Sequence, residues 1–204
     1  YGFPDKFPSD ALREAEQAPR HAGAPGVRAD FRDRFVFTID PETARDFDDA
    51  ISLGRDGDGR RVLGVHIADV SHFIPPGGPM DREARRRGNS VYFPDTVLPM
   101  LPEQLSNGLC SLRPNEDRLA FSAIITFSDA GVPVKREFRK SIIRSRLRLT
   151  YEQALAALKA PEGAGCPEAR MGAEAVALVK RVGALSQQLR ARRFAASALG
   201  AAYR

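Results

Sequence analysis

The feature that most limits how this chain can fold is the run Asp40-Pro-Glu-Thr-Ala-Arg-Asp46-Phe-Asp48-Asp49, which sets four aspartates and a glutamate around one arginine. Carboxylates this close repel one another, and each resists ionising beside its neighbours. A fold that orders them needs a cation to neutralise them, and hard oxygen ligands suit Mg²⁺ above all. The run directly follows the apolar, β-forming residues 35–39. Asp40 is therefore expected at a strand end and the remaining acids in the loop that follows, where a rigid scaffold presents its chemistry.

Two plainer readings compete. A calcium loop of the EF-hand kind fails on detail, because the next ligand position after Asp46 and Asp48 falls on Ala50, no glycine sits at the bend and flanking helices are absent. A solvated acidic turn stays open, although Phe47, Ala50 and Ile51 are residues of the buried type. Ordered carboxylates holding one or two Mg²⁺ ions are the apparatus of phosphodiester hydrolysis, in which the metals stabilise the attacking and leaving oxygens. The residues alone thus point to a metal-dependent nuclease or phosphotransferase.

The rest of the chain is basic, with a formal net charge of +5 over 204 residues. A basic surface attracts polyanions, while an acidic loop can face a phosphate only through a metal ion, so nucleic acid is the expected substrate. A hydrophobic fraction of 43% argues against wholesale disorder. No apolar stretch approaches a membrane span, and the first residues do not read as a signal peptide. Cys110 and Cys166 lie far apart without a CxxC pair, which favours reduced cysteines and a cytoplasmic protein.

Strand patterns dominate the first part of the body and helical ones the last, so the expected fold is α+β, a mixed, mostly antiparallel sheet with flanking helices. Residues 1–34 read as a lead-in, with a helix at 10–17 capped by Ser9, and residues 35–204 as the body. Strands are expected at 35–39, 50–53 and 62–70, with Asp56-Gly-Asp-Gly59 turning between the last two. A charged helix is expected at 80–88, and the prolines at 94, 99 and 102 make residues 93–109 an irregular loop. Residues 118–128 and 132–149 flank the hairpin signal Asp129-Ala-Gly131. Thr150 and Gln153 form a capping-box pattern for a helix at 151–159. A second helix at 173–194 has Leu178, Val182, Leu185 and Leu189 on one face.

Thr38-Ile-Asp-Pro-Glu-Thr-Ala-Arg-Asp-Phe-Asp-Asp-Ala50 resembles the signature of the RNB catalytic domain of the ribonuclease II / ribonuclease R family. Val65-His-Ile-Ala-Asp-Val-Ser71, Asp81-Arg-Glu-Ala-Arg85, Arg87-Gly-Asn-Ser-Val-Tyr-Phe-Pro94 and Leu101-Pro-Glu-Gln-Leu-Ser-Asn-Gly-Leu-Cys-Ser-Leu112 resemble further family segments in the same order. The resemblance implies a processive, Mg²⁺-dependent exoribonuclease that degrades single-stranded RNA from its 3′ end to 5′-mononucleotides. It implies Asp40, Asp46 and Asp49 as metal ligands, and Asp48 as the residue most directly tied to cleavage, through a second metal or the attacking water. No membrane and no organic cofactor are expected.

By the same resemblance Tyr92 stacks on a base at the mouth of the catalytic channel, and Tyr151 is a second tyrosine near the cleaved nucleotide. Base stacking is tolerant of sequence and worth about 1–3 kcal/mol per base. Either tyrosine could instead serve packing. Arg144, Arg146 and Arg148 would share one face of an extended strand, as a phosphate track or as a charged strand edge. His66 reads as a satisfied core histidine and Asp69 as structural. In the family a longer RNB domain supplies a catalytic arginine and another RNA-clamping aromatic, and OB-fold domains flank it. None of these can be placed in this chain, so it is expected to be the N-terminal part of such an enzyme, completed by the remainder of a full-length protein. The alternative is a truncated module that binds RNA or a protein partner without turnover.

Overall fold

The computed structural model describes residues 6–21 and 26–196. Helix α1 (Ser9–His21) and the short strand β1 (Ala29–Asp30) lead into β2 (Val36–Asp40), β3 (Asp49–Arg55) and β4 (Arg61–Ala68). Helix α2 (Pro79–Arg87) and a short hairpin of β5 (Val91–Tyr92) and β6 (Val97–Leu98) come next. The long hairpin of β7 (Asp117–Phe127) and β8 (Pro133–Thr150) then delivers α3 (Tyr151–Lys159) and α4 (Ala173–Ala196). The fold is α+β with a mixed, mostly antiparallel sheet, as expected.

The sheet closes on itself. β2 pairs antiparallel with β3, β3 with β4, β4 with β7 and β7 with β8, while β8 returns to pair parallel with β2. The 18 residues of β8 make this closure feasible, since those up to Arg144 pair with β7 and those from Ser145 to Thr150 with β2. Closure leaves the ring strands without free edges, which is the usual barrel solution to edge pairing.

Alternation along β2 shows how the two faces are used. Val36 points to a core shared with Ala50, Ala120 and Ile143 and with Ala11, Ala15 and Ala18 of α1. Phe37 points the other way, to a core with Leu149 and the apolar faces of α3 and α4. Both are fully buried, and burying a side chain of this size contributes about 1.5–3 kcal/mol. Leu178 and Leu185 of α4 are buried and Val182 packs beside them, on the expected face. The capping box is formed, with the Gln153 N–H donating to Thr150 Oγ1 at 3.1 Å and the Thr150 N–H to Gln153 Oε1 at 2.9 Å.

Inside the ring lies a polar thread. His66 Nε2 is 3.0 Å from Ser52 Oγ and its Nδ1 is 2.7 Å from Ser122 Oγ, which in turn lies 2.6 Å from Ser141 Oγ. Ser141 donates to the Ala120 carbonyl at 3.3 Å. One proton per link then requires Ser122 to donate to Ser141, His66 Nδ1–H to donate to Ser122, and Ser52 to donate to Nε2. His66 is thus a satisfied core histidine. Gly64 makes room for it, because a Cβ there would lie 2.5 Å from Ser52 Oγ and 2.7 Å from His66 Nε2.

Three details depart from the sequence reading. Strand β4 stops at Ala68, and Asp69 turns inward to a buried 2.7 Å salt bridge with Arg28. Residues 93–109 are not wholly irregular, since they hold β6 and a π-helical turn, Gln104–Leu109. The pairing along β8 slips between Val36↔Ser145 and Phe37↔Leu147, leaving Arg146 as an extra residue. This bulge breaks the expected alternation, so Arg148 lies on the Thr38 side while Arg144 and Arg146 stay on the other.

Candidate active site at the barrel mouth

The acidic run spans the mouth of the ring where β2 ends and β3 begins. Asp40 is the last residue of β2 and lies opposite Thr150, and Asp49 is the first of β3 and lies opposite Ile67. Asp46 and Asp48 belong to the connecting loop, on either side of Phe47, whose side chain is buried in the core. Asp40, Asp46, Asp48 and Asp49 line one cavity of about 520 Å³, together with Tyr92 and Glu103. A second cavity of about 800 Å³, more apolar, opens on the far side of Asp46, Asp48 and Tyr92.

The electrostatics are those of uncompensated negative charge. Asp40 is buried, and its Oδ2 has no hydrogen-bond partner. Burial pushes its pKa up, as do the charges of Asp49 and Asp46, with the Thr38 side chain and the Arg148 charge pulling the other way. Desolvation and the carboxylates of Asp46, Asp49 and Asp40 push Asp48 up to about 6. The Tyr92 hydroxyl donates to Asp46 Oδ2 at 3.1 Å. Desolvation and the Asp46 charge raise the Tyr92 pKa in turn.

Among the described residues, no three His, Cys, Asp or Glu side chains converge closely enough to hold a metal ion. The donor set nevertheless fits a hard cation, being all carboxylate and including a buried oxygen without a partner. The loop backbone is fixed at several points. Arg148 Nη2 donates to the carbonyls of Pro41 and Glu42 at 2.5 and 2.8 Å, and its guanidinium lies 5.6 Å from the Phe47 ring centroid. The Ala68 N–H donates to the Asp48 carbonyl at 2.9 Å.

Set against known proteins, residues 28–202 match the RNB domain. The chain belongs to the RNB family. It is 48% identical to Ribonuclease R of Chlamydia trachomatis over 155 residues, which are 75% of this chain and 22% of that protein. Its fold matches that of Mycoplasma genitalium RNase R, solved in complex with ribose methylated single-stranded RNA, with a TM-score of 0.79 and 30% identity over 93% of this chain and 29% of that one. The pseudonuclease Ssd1 of yeast shares the fold at a TM-score of 0.68 and 24% identity, over 82% of this chain and 19% of that one. The chain spans about a fifth of the length of the curated relative it matches.

Within this RNB domain the structure collects five of the residues singled out from sequence, the four aspartates and Tyr92, around one cavity. Tyr92 is 67% exposed, which removes the reading of a core tyrosine. Tyr151 is exposed at the start of α3, one residue beyond the Thr150 that lies opposite Asp40. Arg144 pairs with Asp117, and Arg146 donates to the Asp33 carbonyl and lies over Phe35. Of the four arginines at 82, 85, 86 and 87 that precede Tyr92, Arg87 is structural, reaching Glu83, the carbonyls of Pro99 and Lys6, and the face of Phe7. Sequence reasoning missed Glu103, Ser106 and Asn107, which the π-helical turn and its lead-in bring to the cavity wall. The prolines around that segment hid its helical character.

Proposed function

We propose that this RNB domain is the carboxylate-bearing part of a Mg²⁺-dependent exoribonuclease that shortens single-stranded RNA processively from its 3′ end to 5′-mononucleotides. The observation that carries the reading is one cavity lined by four aspartates, one of them buried with a free oxygen, with an exposed tyrosine at its rim. Polarity, processivity and product follow the likeness to Ribonuclease R. Mg²⁺ bound there would neutralise the approaching phosphate and stabilise the attacking and leaving oxygens. Asp40, Asp46 and Asp49 would hold it. Asp48 orients the attacking water and takes up its proton.

Tyr92 stacks on a base beside the carboxylates, and Tyr151 meets the nucleotide from the α3 side. Arg144 and Arg146 contact phosphates, while Arg148 holds the acidic loop and reaches RNA only in part. The remainder of a full-length enzyme supplies the other grip on RNA, and no organic cofactor takes part. Two buried cysteines without a disulfide suit a reducing cytoplasm. A second reading, an RNA-holding module without turnover, draws on the carboxylates, no three of which converge among the described residues.

One comparison separates them. Single-stranded RNA labelled at its 5′ end is incubated with Mg²⁺ and either this chain or its Asp48→Asn variant. A ladder shortening from the 3′ end, lost in the variant, is the expected outcome. Retention of intact RNA, unaffected by EDTA, would overturn the nuclease reading in favour of the binding module.

A further inference from the structure

The loop from Arg45 to Asp49 is gripped from behind by Ser111, which is fully buried. Ser111 Oγ accepts the Phe47 N–H at 3.1 Å and donates to the Arg45 carbonyl at 2.8 Å. The next residue, Leu112, donates its N–H to the Phe47 carbonyl at 2.9 Å. The carbonyl of Ser111 accepts Arg118 Nε at 2.8 Å, which anchors the grip to β7. Phe47 is therefore held at its N–H, its carbonyl and its buried ring, and the two residues beside it are Asp46 and Asp48.

We propose that Ser111 is a positioning residue whose hydroxyl sets where the Asp46 and Asp48 carboxylates enter the cavity. Only a group that donates and accepts at one atom can close the bridge between Arg45 and Phe47, and a hydroxyl does so in the space of a single side chain. Alanine does neither, and would leave a buried N–H and a buried carbonyl without partners. The loop would regain freedom at the point where two carboxylates must hold fixed positions. Small displacements of reacting groups are enough to slow chemistry sharply. The inference rests on reading those carboxylates as the reactive groups toward RNA.

The test uses Ser111→Ala with Ser111→Thr as the conservative partner, followed by amide hydrogen exchange, Mn²⁺ binding by calorimetry and steady-state kinetics on single-stranded RNA. In Ser111→Ala, exchange at the Phe47 amide and across 45–49 is expected to quicken while β7 and β8 keep their protection. Mn²⁺ affinity and kcat are each expected to fall by roughly 10- to 100-fold, the usual cost of removing a partner behind a metal-binding carboxylate. KM for RNA should stay near that of the parent, and Ser111→Thr should recover most of the loss. Unchanged exchange at 45–49 in Ser111→Ala would overturn the proposal, whatever the kinetics show. Should Ser111→Ala not fold, Arg118→Met loosens the same grip from outside and must speed exchange at 45–49, or the proposal falls. If the parent binds no Mn²⁺ and leaves RNA intact, the nuclease reading fails while the exchange measurement still decides whether Ser111 holds the loop.

Discussion

Strand β3 carries a residue of each of two polar regions that behave in opposite ways. At Ser52 it contributes to the thread through His66, Ser122 and Ser141, in which each hydroxyl and ring nitrogen has a partner. Three residues earlier, Asp49 belongs to a cluster in which the buried Asp40 Oδ2 has none. The same sheet thus satisfies every atom of this thread and leaves Thr38 Oγ1 and Asp40 Oδ2, toward the end of β2, without partners. A buried polar group without a partner is costly, and under the proposed function a bound cation would supply the partner at the mouth. The difference in satisfaction, more than the number of charges, separates the functional end of the barrel from its structural centre.

The comparison can be broken from either side. The largest expected effect is at the mouth, where Asp48→Asn should slow RNA shortening by about 10²- to 10⁴-fold, the range typical of a lost general base, read from the 3′-shortening ladder. Turnover kept within an order of magnitude would move the chemistry elsewhere. In the centre, Gly64→Ala pushes a methyl group into Ser52 and His66. It is expected to lower stability by about 1–3 kcal/mol through overpacking, measured by urea unfolding. Mn²⁺ affinity should be unaffected, because the thread does not reach the carboxylates.

The two regions should also respond to pH with opposite signs. Burial, with the nearby Arg34 charge, pushes His66 down to about 4, so the folded state refuses a proton that the unfolded chain accepts below about 6.5. Its contribution to stability is therefore present at neutral pH and lost as pH falls from about 6.5 toward 4. Asp48, held up to about 6, keeps a proton that the unfolded chain releases above about 3.9. Its ionised form destabilises the folded state above pH 6, and that strain is relieved as pH falls toward 4. Without divalent metal, Asp48→Asn should therefore raise Tm at pH 7.5 and give no gain at pH 4. A variant that melts with the parent across this range would show that the four carboxylates do not repel as placed.

Much of this contrast was legible in the sequence, and unevenly so. The acidic run, the strand before it and the capping box at Thr150 are local patterns, and local patterns survive into the fold. His66 could be read as a core residue because its strand alternates, yet its serine partners lie 14 and 56 residues away and only the β3–β4 and β4–β7 registers bring them to it. The bulge at Arg146 is a tertiary event with no local mark, which is why Arg148 changed sides. Ser111 escaped for the same reason, since it reaches the acidic loop across 64 residues of chain. Register and ring closure decide such contacts, and neither is written in a short window.

The smallest expected effect sharpens the comparison most, because it divides one residue into two functions. Tyr92 presents an exposed ring to the cavity and a hydroxyl to Asp46. If the ring is a stacking platform, Tyr92→Ala should weaken single-stranded RNA binding by about 1–3 kcal/mol, measured by fluorescence anisotropy in Ca²⁺ to suppress turnover. Tyr92→Phe keeps the ring and removes only the donor to Asp46. A hydrogen bond of this kind is worth about 0.5–1.5 kcal/mol, and that loss falls on the carboxylate, not on RNA. RNA affinity in Tyr92→Phe should therefore stay within about twofold of the parent, a difference of about 0.4 kcal/mol. Mn²⁺ affinity should rise slightly, since Asp46 no longer shares its oxygen with a hydroxyl. Equal loss of RNA binding in both variants would assign Tyr92 to the ordering of Asp46 and remove it from the RNA path.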